Sequence, residues 1–183
     1  MASLTPSPNN PLAPSGVSPM QLKRERLRFT NFRFVRTPSG LCTAEVELAL
    51  HDSLLAELGI QSIDAMPPAP TTLAYTSYLL ATAYRGTFAD GFAAVLPCYW
   101  IYAEVGAELV KRGSPDPRYQ RWIDTYADDE YQTIVGEVLA LADNLGLSLC
   151  AADETRARAH FATTARYEWM FWDAAWRREV WPV

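Results

Sequence analysis

No apolar run in the 183-residue chain is long enough to span a membrane, and its start lacks the apolar stretch of a secretory signal. There is no Gly-rich phosphate loop and no Ser-centred nucleophile elbow. Excess positive charge is missing too: the formal net charge is -5, which argues against non-specific nucleic-acid binding. Cysteine is sparse. Cys42, Cys98 and Cys150 are an odd set without motif spacing, so a disulfide framework is not indicated and a reducing, cytoplasmic setting is the expectation. Histidine is rarer still. His51 stands four residues after Glu47, a helical spacing that could serve a metal, but a site needs three or four ligands and His160 is the only other histidine. A salt-bridged surface pair is the better reading of this spacing. A haem or di-metal protein would have to use one of these two imidazoles.

Acids are nearly absent from the first forty residues, where Lys23, Arg24, Arg26, Arg28, Arg33 and Arg36 face Glu25 alone. The same stretch holds Pro6, Pro8, Pro11, Pro14 and Pro19 among Ser, Asn and Gly. Residues 1–20 cannot bury enough apolar surface to offset chain entropy and are expected to be disordered. Leu27, Phe29, Phe32 and Phe34 alternate in a strand-like way, although a short helix or irregular chain fits as well.

What is present is apolar and aromatic: 49 % of residues are hydrophobic, with six Trp, nine Tyr and seven Phe. From Thr43 the spacing becomes helical. Leu50, Leu54, Leu55 and Leu58 form a stripe that Gly59 can stop. After the Pro-rich loop Met66–Pro70, a second helix is expected from about Thr72 to Tyr84, ending at Gly86. A third carries Phe88, Phe92, Val95, Tyr99, Tyr102, Gly106 and Leu109 on one face, with Pro97 inside it. Tyr119, Trp122, Ile123 and Tyr126 suggest a short helix, and another spans about Asp129 to Asn144 and ends at Gly146. The last runs from about Asp153, as N-cap, to Glu179. Helices joined by short loops make an all-α bundle, a single domain over residues 43–183 behind the Pro- and Arg-rich segment 1–42.

Two side chains invite chemistry. Glu168 sits mid-stripe with Phe161, Ala165, Trp172 and Ala175, so it is expected to be buried. Burial raises a carboxyl pKa and suits a proton donor and acceptor near neutral pH. The bland alternative is a core glutamate satisfying a backbone donor or an arginine. Cys98 follows the Pro97 interruption and precedes Tyr102 by one turn. A thiol there is a candidate nucleophile if a neighbour lowers its pKa, and otherwise a small core residue.

Longer stretches carry more. Leu-Pro-Cys-Tyr-Trp-Ile-Tyr-Ala-Glu-Val-Gly (96–106) resembles the nucleophile segment of the thiaminase II (TenA) family. Pro-Thr-Thr-Leu-Ala-Tyr-Thr-Ser-Tyr (70–78), Trp-Ile-Asp-Thr-Tyr (122–126) and Tyr-Glu-Trp-Met-Phe-Trp-Asp-Ala-Ala-Trp (167–176) resemble its other signatures, in the family's order. The helix with Glu47 and His51 also matches one the family carries. This resemblance implies a haem-oxygenase-like helical bundle, assembled as a homotetramer, that hydrolyses aminopyrimidines in thiamine salvage without metal or organic cofactor. It implies that Cys98 adds to the pyrimidine ring and that Glu168 pairs with ring nitrogens and moves protons. Tyr102 would hydrogen-bond near the nucleophile, Tyr75 and Tyr126 would line the pocket, and Phe171 would stack on the ring. Substrate would be 4-amino-5-aminomethyl-2-methylpyrimidine or thiamine. The family also has two or three helices ahead of the position of Thr43, one with a Gln-Asp-Tyr-x-Tyr-Leu-like motif whose aspartate binds the pyrimidine. No aspartate precedes Asp52 here. The expectation is a truncated or altered start, an exposed apolar patch and reduced or lost activity, with a non-catalytic pyrimidine-binding or regulatory relative as the alternative.

Overall fold

The computed structural model describes residues 43–60 and 66–183. Whatever residues 1–42 were expected to form lies outside these residues. Among the described residues there are six helices and no strand: α1 (Thr43–Glu57), α2 (Pro70–Arg85), α3 (Phe88–Leu109), α4 (Pro117–Ala127), α5 (Asp129–Ser148) and α6 (Ala151–Arg177). No described helix is long and apolar enough to cross a membrane.

Local chemistry sets most boundaries. Gly59 has φ +72°, the left-handed turn that closes α1. Pro70 opens α2 at the position where its missing N–H costs nothing. Thr87 and Asp90 form a reciprocal capping box at the start of α3, with Thr87 N donating to Asp90 Oδ2 at 2.8 Å. Asp116 and Asp128 cap α4 and α5 by accepting from Arg118 N and Glu130 N. At the far end Arg178 takes φ 52°, turning the chain so that Glu179 reaches the start of α2. There Thr71 N and Thr71 Oγ1 donate to the Glu179 carboxylate at 2.8 and 3.0 Å. A negative group at a helix N-terminus meets the positive end of the helix dipole.

Two expected boundaries shift. α5 runs through Gly146 to Ser148, because Leu145 and Leu149 line a small apolar space with Phe92, Leu96 and Phe161. That packing outweighs the roughly 1 kcal/mol penalty of a helical glycine. α6 starts at Ala151 with Cys150 as N-cap, so Asp153 belongs to the first turn. Its carboxylate accepts from Cys150 Sγ and pairs with Arg156.

α3 is the central helix, touching α2, α4, α5 and α6. Its buried face differs from the expected aromatic one. It is built of Ala89, Asp90, Ala93, Ala94, Leu96, Pro97, Ala103 and Gly106, while Phe88 is exposed. Small residues let four neighbours approach one helix closely, and the large rings are displaced to its flanks. One apolar cluster joins Leu50, Ala103, Tyr126, Tyr131 and Val135, and a second joins Leu96, Ala142 and Phe161. Burying a side chain such as Leu96 or Phe161 stabilises the fold by about 2 kcal/mol. The stripe on α6 also ends sooner than its spacing implies: Phe161 and Glu168 are buried, but Trp172 and Ala175 are exposed and Ala174 faces inward instead.

Candidate active site

Glu168 is 2 % exposed, as its place in the stripe requires. It accepts a hydrogen bond of 2.6 Å from the hydroxyl of Tyr75, itself buried on α2. The Tyr75 phenol is pushed far above its ordinary range. Burial is the largest cause, followed by the charge of Glu168 and the hydrogen bond to it, with smaller contributions from Cys98 and Tyr102. Tyr75 is therefore a fixed donor at any physiological pH. Cys98 and Tyr102 of α3 are thus near enough to bear on the charge of this phenol.

Cys98 is half-buried, and Tyr102 stands one turn along the same helix. Tyr102 packs on Tyr126 with ring centroids 5.0 Å apart, and on Trp122 and Trp172 at 5.9 and 5.7 Å. Tyr126 is buried at the α3–α4 seam, where Gly106 lets the α4 backbone come close. Thus α2, α3, α4 and α6 each contribute one or two of the expected site residues. Phe171 is the most exposed of them, at 37 %, beside the exposed Trp172. Rings that close in on a carboxylate, a phenol and a thiol suit a flat heterocycle with a few polar edges.

The residues bring together a nucleophile candidate, an acid–base candidate and hydroxyl donors without a cluster of cations. Among the described residues, no group of three or more His, Cys, Asp or Glu side chains is placed to hold a metal ion. His51 is exposed, and the side chain of Glu47 lies outside what is described. His160 is committed elsewhere, with its Nδ1 2.8 Å from the Tyr78 hydroxyl.

Residues 39–178 match the model of the TENA/THI-4/PQQC family. The chain belongs to that family. It is 39 % identical over 143 residues to an aminopyrimidine aminohydrolase of Halalkalibacterium halodurans, covering 76 % of this chain and 64 % of the relative. A second aminopyrimidine aminohydrolase, from Bacillus subtilis, is 36 % identical over 141 residues, covering 76 % of this chain and 60 % of the relative. The solved TenA homologue from P. horikoshii OT3 superimposes with a TM-score of 0.63 at 33 % identity, covering 73 % of this chain and 63 % of that one. The helices are thus those of a TenA protein, with the haem-oxygenase-like arrangement that the motifs imply. The chain spans less than two thirds of the length of these relatives.

Sequence spacing missed three neighbours of this candidate site. Tyr167 stacks on Tyr75 with centroids 5.3 Å apart and planes 9° from parallel. Tyr78 lies on the other side of Tyr167, and His160 lies against Tyr78 in turn. The capping-box spacing of Thr87 and Asp90 was a readable signal for the fourth member of this group. Nothing in a single sequence joins Tyr78 to His160 across 82 residues.

Proposed function

We propose that this chain hydrolyses an aminopyrimidine of the thiamine salvage type, releasing ammonia from 4-amino-5-aminomethyl-2-methylpyrimidine or thiazole from thiamine. The observation that carries the reading is the buried Tyr75–Glu168 hydrogen bond with Cys98 and Tyr102 around it. Family membership and the aminopyrimidine aminohydrolases among its relatives support it.

In this reading Cys98, as thiolate, adds to the ring carbon next to the one that bears the methylene. Glu168 hands a proton to a ring nitrogen as aromaticity is lost. The ring electrons then expel the group on the methylene, which leaves as ammonia or as thiazole. Water adds to the exocyclic methylene, Glu168 takes back the proton, and the Cys98 sulfur departs as the ring is restored. The sum is substrate plus water giving hydroxymethylpyrimidine plus the amine. Tyr75 keeps Glu168 oriented, Tyr102 and Tyr126 wall the pocket, and Phe171 covers the ring. Assembly as a homotetramer in the cytoplasm goes with this reading. The exposed rings of Trp169, Phe171, Trp172 and Trp176 on α6 supply apolar surface for it.

Ammonia release from the aminomethyl compound tests the proposal. Turnover by the parent chain that disappears in Cys98→Ala is expected, a loss of at least about a thousandfold. Ammonia release equal in both would sink the catalytic reading. Binding without turnover would favour a pyrimidine-binding relative.

A further inference from the structure

Next to the Tyr75–Glu168 pair lies a second polar chain that the proposed chemistry does not use. Asp90 of α3 is 1 % exposed, and its carboxylate accepts from Thr87 N, Thr87 Oγ1 and Arg156 Nε at 2.8, 2.9 and 2.8 Å. His160 of α6 turns Nε2 toward it, 4.0 Å from Asp90 Oδ1. That is longer than a direct hydrogen bond, so Asp90 acts on the imidazole through its field. A fixed negative charge on the Nε2 side favours the tautomer with the proton on Nε2. The Nδ1 lone pair is left to accept, and the Tyr78 hydroxyl of α2 sits 2.8 Å from it.

Tyr78 therefore has one orientation. Its ring lies 5.7 Å from that of Tyr167, and the Tyr167 ring lies flat against Tyr75 at 5.3 Å. Tyr167 is clamped between the two tyrosines, which stand three residues apart on α2 and so share a face. Glu168 is the next residue of α6. Rotation of Tyr75 away from Glu168 would need Tyr167 to move, and Tyr78 blocks that movement while His160 holds its hydroxyl.

We propose that His160 is a positioning residue: by accepting the Tyr78 hydroxyl under the influence of Asp90, it locks Tyr167 against Tyr75 and aligns the Tyr75–Glu168 bond. The inference rests on the aminopyrimidine reading for its catalytic consequence, but its structural core does not.

The test uses His160→Leu, His160→Asn and Tyr78→Phe in the full chain. Asparagine places an oxygen near the position of Nδ1 and can still accept; leucine cannot. Turnover of the aminomethylpyrimidine is expected to fall about tenfold in His160→Leu and Tyr78→Phe, through kcat rather than KM. His160→Asn should recover most of it, and the double variant His160→Leu/Tyr78→Phe should be no worse than either single change. The second readout needs no activity. With tyrosine labelled at the ring carbon bearing oxygen, the Tyr75 NMR signal (assigned by its loss in Tyr75→Phe) stays at its protonated position up to high pH in the parent. In His160→Leu it should broaden and begin to ionise at lower pH, and in His160→Asn it should not. If the parent itself releases no ammonia, the aminopyrimidine reading fails while the NMR comparison still decides the positioning role. Should His160→Leu not fold, Tyr78→Phe, which removes a single hydroxyl, gives the same two readouts. Parent-like turnover and a parent-like Tyr75 signal in Tyr78→Phe would overturn the proposal, as would a His160→Asn variant as impaired as His160→Leu.

Discussion

Glu168 is a buried acceptor that takes a 2.6 Å hydrogen bond from the Tyr75 phenol. Tyr75→Phe keeps the ring and its stacking on Tyr167 but takes away that donor. A buried carboxylate left short of a donor costs about 1–3 kcal/mol. The expected outcome is a stability loss of that size in urea unfolding, with turnover down about a hundredfold because the proton-transfer group is no longer held. A well-folded variant with parental turnover would show that Tyr75 does not orient Glu168. Asp90 gives a second prediction with a definite pH sign. Burial works against its charge, but the bonds from Arg156 and Thr87 outweigh that and hold its carboxyl below the ordinary aspartate range. A folded pKa below the unfolded one means the stabilisation is complete above about pH 4 and fades as pH falls through the lower, folded value. Asp90→Asn should cost about 2 kcal/mol near neutral pH, through the lost cap and the unpaired Arg156. The gap to the parent should narrow as pH drops below about 4. A gap that does not change with pH would show that the charge of Asp90 is not what stabilises. At this scale the burial of Glu168 is legible from its place in the stripe. Phe171 and Trp172 were legible as aromatic but not as exposed, since helical spacing says which residues share a face and not where a covering neighbour ends.

Elements were easier to read than their faces. Gly59 and Gly86 punctuate the chain by local rules, and the helices fall close to where those rules put them. The α3 face was misread because spacing favours large rings as the buried side, whereas a helix packed against four others buries small residues. Gly106 is the sharpest instance. A Cβ there would lie 2.6 Å from the backbone carbon of Tyr126 and 2.7 Å from its carbonyl oxygen. Backbone cannot swing aside as a side chain can, so α4 would have to retreat. Gly106→Ala is expected to cost about 1–3 kcal/mol and to shift Tyr126 against Tyr102. Gly136, in the interior of α5, provides the control: a Cβ there meets nothing within 4 Å. Gly136→Ala should stabilise by about 0.5–1 kcal/mol, from helix propensity alone. Thermal melts of the two variants shifted in the same direction would refute the close-approach account of Gly106.

Across the described residues, α3 is the most enclosed helix. α3 is enclosed by α2, α4, α5 and α6, and both apolar clusters include its residues. α1 enters the core through Leu50, with Leu54 packed beside it, and its ion pair to α4, Glu57 with Arg121 at 2.6 Å, is exposed on both sides. A surface pair of that kind is worth about 0–1 kcal/mol, too little to substitute for a buried face. α2 has one apolar flank turned outward, with Leu73, Leu80 and Tyr84 exposed, yet it is tethered to α6 and its neighbouring turn at three heights, by Thr71 to Glu179, Tyr75 to Glu168 and Tyr78 to His160. Native-state hydrogen exchange should therefore rank the helices. Amides in the middle of α3 should open only with global unfolding. Those of α1 should exchange through a local opening at least about tenfold more readily, which is 1.4 kcal/mol. α2 should fall between them and move toward α1 in Tyr78→Phe, which removes one of its tethers. Equal protection in α1 and α3 would mean that the molecule unfolds as one unit and that the enclosure of α3 confers no local advantage.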